Sequence, residues 1–193
     1  MLVVIDGADG AGKTVLADEL ALLVPGSARA SLDDFHQRRA HRHALGRTGE
    51  TVWERSFDLE AVRRELLDPW GRGAGSSYRP RWQDLTTDRR VDDPPLRVPG
   101  AGVLVVDGVF AQRTELADAW DLVIWVQADG VVRVARMAAR DGVPDDPDHP
   151  DQRRYLDAQE IYRERCAPEK SADVVVDNTD PERPRVVRVA APE

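Results

Sequence analysis

One eight-residue stretch constrains this chain more than any other: Gly7-Ala8-Asp9-Gly10-Ala11-Gly12-Lys13-Thr14. It satisfies G-x-x-x-x-G-K-[ST] at every position. Glycines let successive backbone N–H groups turn inward around a phosphate without Cβ clashes. A helix beginning near Gly12 adds the positive end of its dipole. In that frame Lys13 reaches the β- and γ-phosphates of a nucleotide, and the Thr14 hydroxyl ligates Mg²⁺. The chain has 14 glycines and, among its 27 basic residues, only two lysines, Lys13 and Lys170. A random match in such a composition is on the order of one in a thousand.

The flanking sequence suits the motif. Leu2–Ile5 is a continuous apolar, β-branched run, as expected of a strand buried on both faces. After the loop, Val15, Leu16, Leu20 and Leu23 recur at helical spacing, and Pro25-Gly26 stops the helix. Further strands are expected at Ala28–Leu32, Val103–Val106, Leu122–Val126 and Val174–Val176. Helices are expected from near Asp58 to before Pro69, over Val131–Arg140 and over Arg153–Arg165. Residues 36–57 are rich in Arg and His and lack periodicity. Residues 71–77 read as a flexible loop, Tyr78–Pro99 as an irregular hairpin, and Asp141–Asp151 as a loop or lid. The tail after Asn178, with its prolines, reads as loosely attached.

Apolar strands alternating with helices predict an α/β fold. Specifically, we expect a P-loop NTPase three-layer sandwich: a parallel sheet of about five strands with helices on both faces, plus a small lid/hairpin insertion. One domain is expected over 1–193, with the hairpin at about 70–100 and a phosphate lid at about 136–153. A domain of this length buries a sufficient core without a staple. The single cysteine, Cys166, makes no internal disulfide. The apolar start is short, lacks a basic leader and reaches a charge at Asp6, and no apolar run suits a membrane. A cytoplasmic protein is expected. The net charge of −8 disfavours nucleic acid and anionic membranes as partners.

Ligands in such sheets bind beyond the carboxyl ends of the strands. Asp6, Asp33, Asp34 and Asp107 all follow apolar runs at those ends. Asp107 stands where a Mg²⁺ carboxylate is needed. Asp33 or Asp34 stands where a carboxylate would orient an acceptor hydroxyl and take its proton. Arg133, Arg136 and Arg140 follow i, i+3, i+7 spacing along one helix face, from which a phosphoryl group is clamped. His36, His41 and His43 lack the spacing of a zinc site and are interleaved with Arg38, Arg39 and Arg42.

Together the stretches VVIDGADGAGKT (3–14), DDFH (33–36), SFDLEAV (56–62), VLVVDGVF (103–110), DLVIWVQAD (121–129), RVARMAARDG (133–142) and ADVVVDN (172–178) resemble the uridine kinase family, particularly its short bacterial members. The resemblance runs from about Val3 to Asp177. It implies that Asp33 is the catalytic carboxylate facing a nucleoside 5′-hydroxyl and that Asp58 binds ribose hydroxyls. It also implies that Tyr78 lines the base pocket and that Arg136 and Arg140 are lid arginines on the phosphates. His36 stands where the family usually has Tyr, and Asp107 where it often has Glu. Gln83 is nearest to the family's base-selecting histidine. Leu59-Glu60 replaces a His-Pro pair, and the aspartate-rich loop replaces an Arg-Gly-Arg lid segment.

The activity implied is phosphorylation of uridine or cytidine to UMP or CMP, with ATP or GTP as donor and Mg²⁺ as cofactor. The loop Gly7–Thr14 and Arg136 would hold the nucleotide, and Thr14 and Asp107 the metal. Lys13, Asp33, Arg136 and Arg140 would act on the reacting groups. Asp33, His36, Asp58, Tyr78 and Gln83 would surround the acceptor. Two rivals are carried: a related kinase of nicotinamide riboside, pantothenate or another alcohol, and a nucleotide-dependent regulatory ATPase. The partner is a small molecule in the first two readings, and a homo-oligomer is left open.

Overall fold

The computed structural model describes residues 1–100 and 102–191. A six-stranded sheet forms its centre, in the order β10-β9-β8-β1-β7-β2. Its strands are β1 (Leu2–Gly7), β2 (Ala28–Ser31), β7 (Leu104–Gly108), β8 (Leu122–Gln127), β9 (Val174–Asp177) and β10 (Arg185–Val189). The first five pair in parallel, and β10 runs antiparallel to β9. Helices α1 (Lys13–Leu23), α6 (Gly130–Asp141) and α7 (Pro150–Cys166) provide the long crossovers and flanks.

Alternation along the strands divides the core between two faces. Leu2, Val4, Leu104, Val106 and Trp125 share one cluster with Trp53, Phe57, Leu66, Phe110 and Tyr162. Ile5, Val105 and Val126 face the other way, onto Ala17 of α1. The larger cluster is covered by α3 (Gly49–Arg55), α7 and a helical run formed by α4 (Leu59–Ala61), a π-wound segment (Val62–Leu67) and α5 (Asp68–Arg72). Two smaller elements, α2 (Arg39–Arg42) and α8 (Pro168–Ser171), bridge loops. Two small ladders make the insertion: β3 (Ser77–Tyr78) pairs with β6 (Leu96–Arg97), and β4 (Gln83–Asp84) pairs with β5 (Arg89–Arg90).

Four expectations require correction. The tail is an edge strand rather than a loose end: Arg188 donates to the carbonyls of Glu169 and Ala172, and Ala190 N–H donates to Asp173 O at 2.7 Å. The helical run passes through Pro69 instead of ending before it, because Pro69 falls in the first turn of α5, where an N–H is dispensable. Val15 and Leu23 of α1 are exposed, and the helix packs through Ala17 with Leu16 and Leu20 beside it. Residues 36–57 are not without structure; they hold α2 and α3, the latter opened by a reciprocal cap between Thr48 and Thr51. Among the described residues no helix is long and apolar enough to cross a membrane.

Candidate functional site

Register brings the loop and the carboxylates together. Ile5 of β1 and Ser31 of β2 both lie beside Asp107 of β7, so three strand ends open on one cleft. Gly7–Gly12 crosses that end between β1 and α1. Gly10 and Gly12 adopt φ of +75° and +98°, which L side chains rarely adopt. Crowding adds to the demand: a Cβ on Gly10 would meet Arg133 O at 2.5 Å, and one on Gly12 would meet Asn178 Nδ2 at 2.2 Å.

The loop carbonyls are held from behind. Asp9 O accepts from Arg133, Gly10 O from Arg136 at 3.3 Å, and Ala11 O from Asn178 Nδ2 at 2.7 Å. Arg136 also donates to the carbonyls of Asn178 and Thr179, both at 3.1 Å. With its carbonyls turned outward, the loop leaves amides for an anion on its inner side. Lys13 Nζ donates to Ala8 O at 3.0 Å, which holds the ammonium across the loop.

Below the loop, Asp6 is fully buried. It accepts from Gly7 N–H at 2.7 Å, from Gln112 at 3.0 Å and from the Tyr162 hydroxyl of α7. Burial pushes the Asp6 carboxyl above the ordinary carboxylate range, against the pull of these hydrogen bonds and of Lys13. Tyr162 is held far above its ordinary value, first by burial and then by Asp6, so it stays protonated and donates. This network ties the strand that carries the loop to α7.

Thr14 Oγ1 donates to Asp107 Oδ2 at 2.6 Å. The other oxygen, Asp107 Oδ1, is buried without a hydrogen bond, although the Arg29 guanidinium comes within 2.9 Å. A hydroxyl and a buried carboxylate with an unsatisfied oxygen suit a hard divalent cation such as Mg²⁺. Among the described residues no three His, Cys, Asp or Glu converge as a metal cage. A Mg²⁺ here would draw its remaining ligands from substrate phosphates and water.

A 3₁₀ turn, Leu32–Phe35, follows β2. Its buried residues, Leu32 and Phe35, anchor it, and the Ser31 hydroxyl caps it by accepting from Asp33 N–H at 3.3 Å. Asp33 and Asp34 then project outward and part. Asp34 pairs with Arg81 at 3.1 Å. No hydrogen bond or ion pair among the described residues engages the Asp33 carboxylate, and the residue is exposed. Burial by the cleft walls nevertheless raises its pKa, with His36 and Lys13 pulling down and Asp9 and Asp107 pushing up. Asp33 thus lies within electrostatic reach of Lys13 and Asp107. His36 donates through Nδ1 to Asp33 O at 2.8 Å and packs on Phe57 at 4.5 Å. Its pKa is lowered, mainly by burial.

Of the other expected acceptor residues, Asp58 and Tyr78 are engaged within the protein and Gln83 is buried. Asp58 Oδ1 caps α4 through Ala61 N–H at 3.1 Å, and Oδ2 accepts from Trp82 Nε1 at 3.2 Å. Tyr78 is core, edge-on to Trp70 at 5.4 Å. Gln83 is 1% exposed, and neither atom of its amide has a partner. The arginines also separate. Arg136 braces the loop, whereas Arg140 is half-exposed and forked onto Asp141 through two 2.7 Å bonds. That pairing, with further help from Asp9 and Asp33, raises its pKa. Arg140 is therefore paired at the surface while Arg136 braces the loop.

Several site residues escaped the sequence reading. Asn178 and Tyr162 were not singled out, and neither was Arg29, which links Asp107 to Asp18. Arg29 carried a signal, as a charge inside a strand. Asn178 carried another, as a polar residue at a strand's carboxyl end. Beside the loop, Gly12, Val15, Leu16, Arg136, Val176 and Pro181 line a cavity of about 210 Å³.

No protein-family model and no curated protein matches the chain. Solved structures do share its fold. A possible uridine kinase from Bacillus stearothermophilus superposes with a TM-score of 0.70 at 23% identity, covering 91% of this chain and 87% of the other. A candidate fructose transport system kinase from Silicibacter sp. TM1040 gives 0.60 at 20% identity, covering 89% and 85%. The D-glycerate 3-kinase of Cryptococcus neoformans gives 0.56 at 14% identity, covering 98% and 89%.

Proposed function

We propose that this chain is an ATP- and Mg²⁺-dependent phosphotransferase acting on a hydroxyl of a small molecule. One observation carries the reading: an unpaired carboxylate, Asp33, shares a cleft with Lys13 of the phosphate loop and with Asp107. A regulatory ATPase has no use for a second carboxylate so placed, whereas a kinase needs one to orient and deprotonate its acceptor. The folds of the structural neighbours, which bear kinase names, favour the same class.

In this reading the loop amides and Lys13 hold the β- and γ-phosphates. Thr14 and Asp107 hold the Mg²⁺, which neutralises phosphate charge when bound. The adenine has a berth in the mainly apolar cavity beside Gly12, below Arg136. Asp33, rather than the Arg81-paired Asp34, takes the acceptor proton. Arg140 is free to swing from Asp141 to the transferring group, because a multiply charged phosphate competes well for a guanidinium fork. Closure of 142–149 over the cleft would exclude water and suppress hydrolysis.

The 5′-hydroxyl of uridine or cytidine is the finer reading, favoured by Asp33 and by the fold shared with the Bacillus stearothermophilus protein. Against it, Asp58 and Tyr78 are committed inside the protein, and Gln83 is buried. An acceptor panel that monitors ADP release decides the matter. It should include nucleosides, sugars, hydroxy acids and pantothenate. Acceptor-stimulated turnover that vanishes in Lys13→Ala is expected; hydrolysis at one rate with every acceptor would refute the kinase reading.

A further inference from the structure

Next to Asp33 lies a second cavity, of about 60 Å³, with a different character. Arg42 and His43 approach it from α2 and its end, Arg47 from the following loop, Arg154 from α7, and His36 from the Asp33 turn. Among the described residues no carboxylate lines it. The sequence foreshadows this: residues 36–47 hold four arginines and three histidines and no acid, in a chain of net charge −8.

The cations are only partly compensated. Asp151 pairs with Arg47 at 2.8 Å and reaches Arg154 only at 3.9 Å. Arg42 Nε is spent on the neutral Gln37 carbonyl, at 2.9 Å. Arg154 is largely buried, with 13% of its side chain exposed, and its Nε has no partner. A buried guanidinium nitrogen without an acceptor costs free energy unless something supplies one. The crowding of cations acts on His43 as well: burial and the charges of Arg42, Arg47, Arg154 and Arg39 hold its pKa below the ordinary histidine value.

We propose that this cavity is an anion site that receives a carboxylate or phosphate group of the acceptor. His36 forms the partition: its ring lines the cavity, and its Nδ1 donates to the backbone carbonyl of Asp33. An acceptor whose anionic group enters among Arg42, Arg47 and Arg154 presents a nearby hydroxyl to the Asp33 carboxylate. The substrate class is therefore a hydroxy acid or a phosphorylated alcohol, not a neutral nucleoside. The assignment rests on the cleft being an acceptor site, as proposed above.

The test is calorimetric. Protein saturated with Mg²⁺ and a non-hydrolysable ATP analogue is titrated with inorganic phosphate and, separately, with glycolate. Saturation removes the phosphate loop as a competing anion site, and the analogue titration itself reads that loop. Wild type should bind one equivalent of at least one anion. Arg42→Gln and Arg154→Gln should each bind it about ten-fold or more weakly, as expected for lost charged hydrogen bonds. Arg154→Lys, which keeps the charge and perturbs folding less, should fall between. Preferential phosphate binding assigns a phosphorylated acceptor, and preferential glycolate binding a hydroxy acid. Analogue binding with no anion binding, or anion affinity unchanged in folded Arg42→Gln and Arg154→Gln, overturns the anion site and leaves the phosphotransferase reading standing. Arg154-dependent anion binding without analogue binding does the reverse.

Discussion

In the proposed reaction Lys13 and Asp33 divide the chemistry, and each was legible for its own reason. Lys13 is one of two lysines in the chain and ends a spacing that few other structures require. Asp33 was legible only as one of two adjacent carboxylates, because sequence cannot say which of them finds an arginine. Arg81, 47 residues away, settles that by pairing with Asp34. Asp58 shows the opposite outcome. An aspartate just before a helix is a natural cap, and the cap is what it forms, with Trp82 on its second oxygen. The Asp33 environment makes a pH prediction. A general base works deprotonated, and burial raises this carboxyl. The acid limb of kcat should therefore lie above the ordinary aspartate value of about 3.9, with activity rising as pH rises through it. A limb at or below that value, read from a kcat–pH profile, would remove Asp33 from the role.

Elements were legible where burial dominates and obscure where it does not. Four of the five parallel strands are nearly continuous apolar runs, so the pattern found them; β2, Ala-Arg-Ala-Ser, is the exception. β10 reads Arg-Val-Val-Arg-Val, an exposed edge strand whose identity comes from pairing with β9 rather than from its own composition. Helix α6 was placed well, but the purpose of its arginines depended on what lay opposite. Arg133 is buried on the loop side, Arg136 grips three carbonyls, and Arg140 pairs with Asp141. α6 is thus a brace for the phosphate loop as much as a source of charge. Arg136→Ala should weaken binding of Mg²⁺ and a non-hydrolysable ATP analogue by about ten-fold or more, given three lost bonds from a charged donor. Titration calorimetry reads this; affinity equal to wild type would mean that the loop keeps its shape without the brace.

At the scale of the whole molecule, the parallel sheet does one thing for function: it delivers three strand ends to one place. β1 leads into the phosphate loop, β7 ends at Asp107 and β2 ends at the Asp33 turn, with registers that align Ser31, Asp107 and Ile5. Charge is distributed to match. An overall −8 coexists with an acid-free basic segment at 36–47, beside the Asp33 turn. Composition read as a total hid that asymmetry, and only folding, which brings Arg154 of α7 to Arg42 and Arg47, made it a cavity. The central claim is that this cleft sets a proton-accepting carboxylate against a nucleotide held by the loop. Its most direct test is Asp33→Asn, assayed for kcat with the acceptor that the panel returns and, in parallel, for affinity toward Mg²⁺ and a non-hydrolysable ATP analogue. The account predicts that kcat falls by about 10²-fold or more, as for loss of a general base, while nucleotide affinity stays within about two-fold of wild type. An Asp33→Asn enzyme that turns over at the wild-type rate, or one that loses nucleotide binding in step with activity, would contradict it.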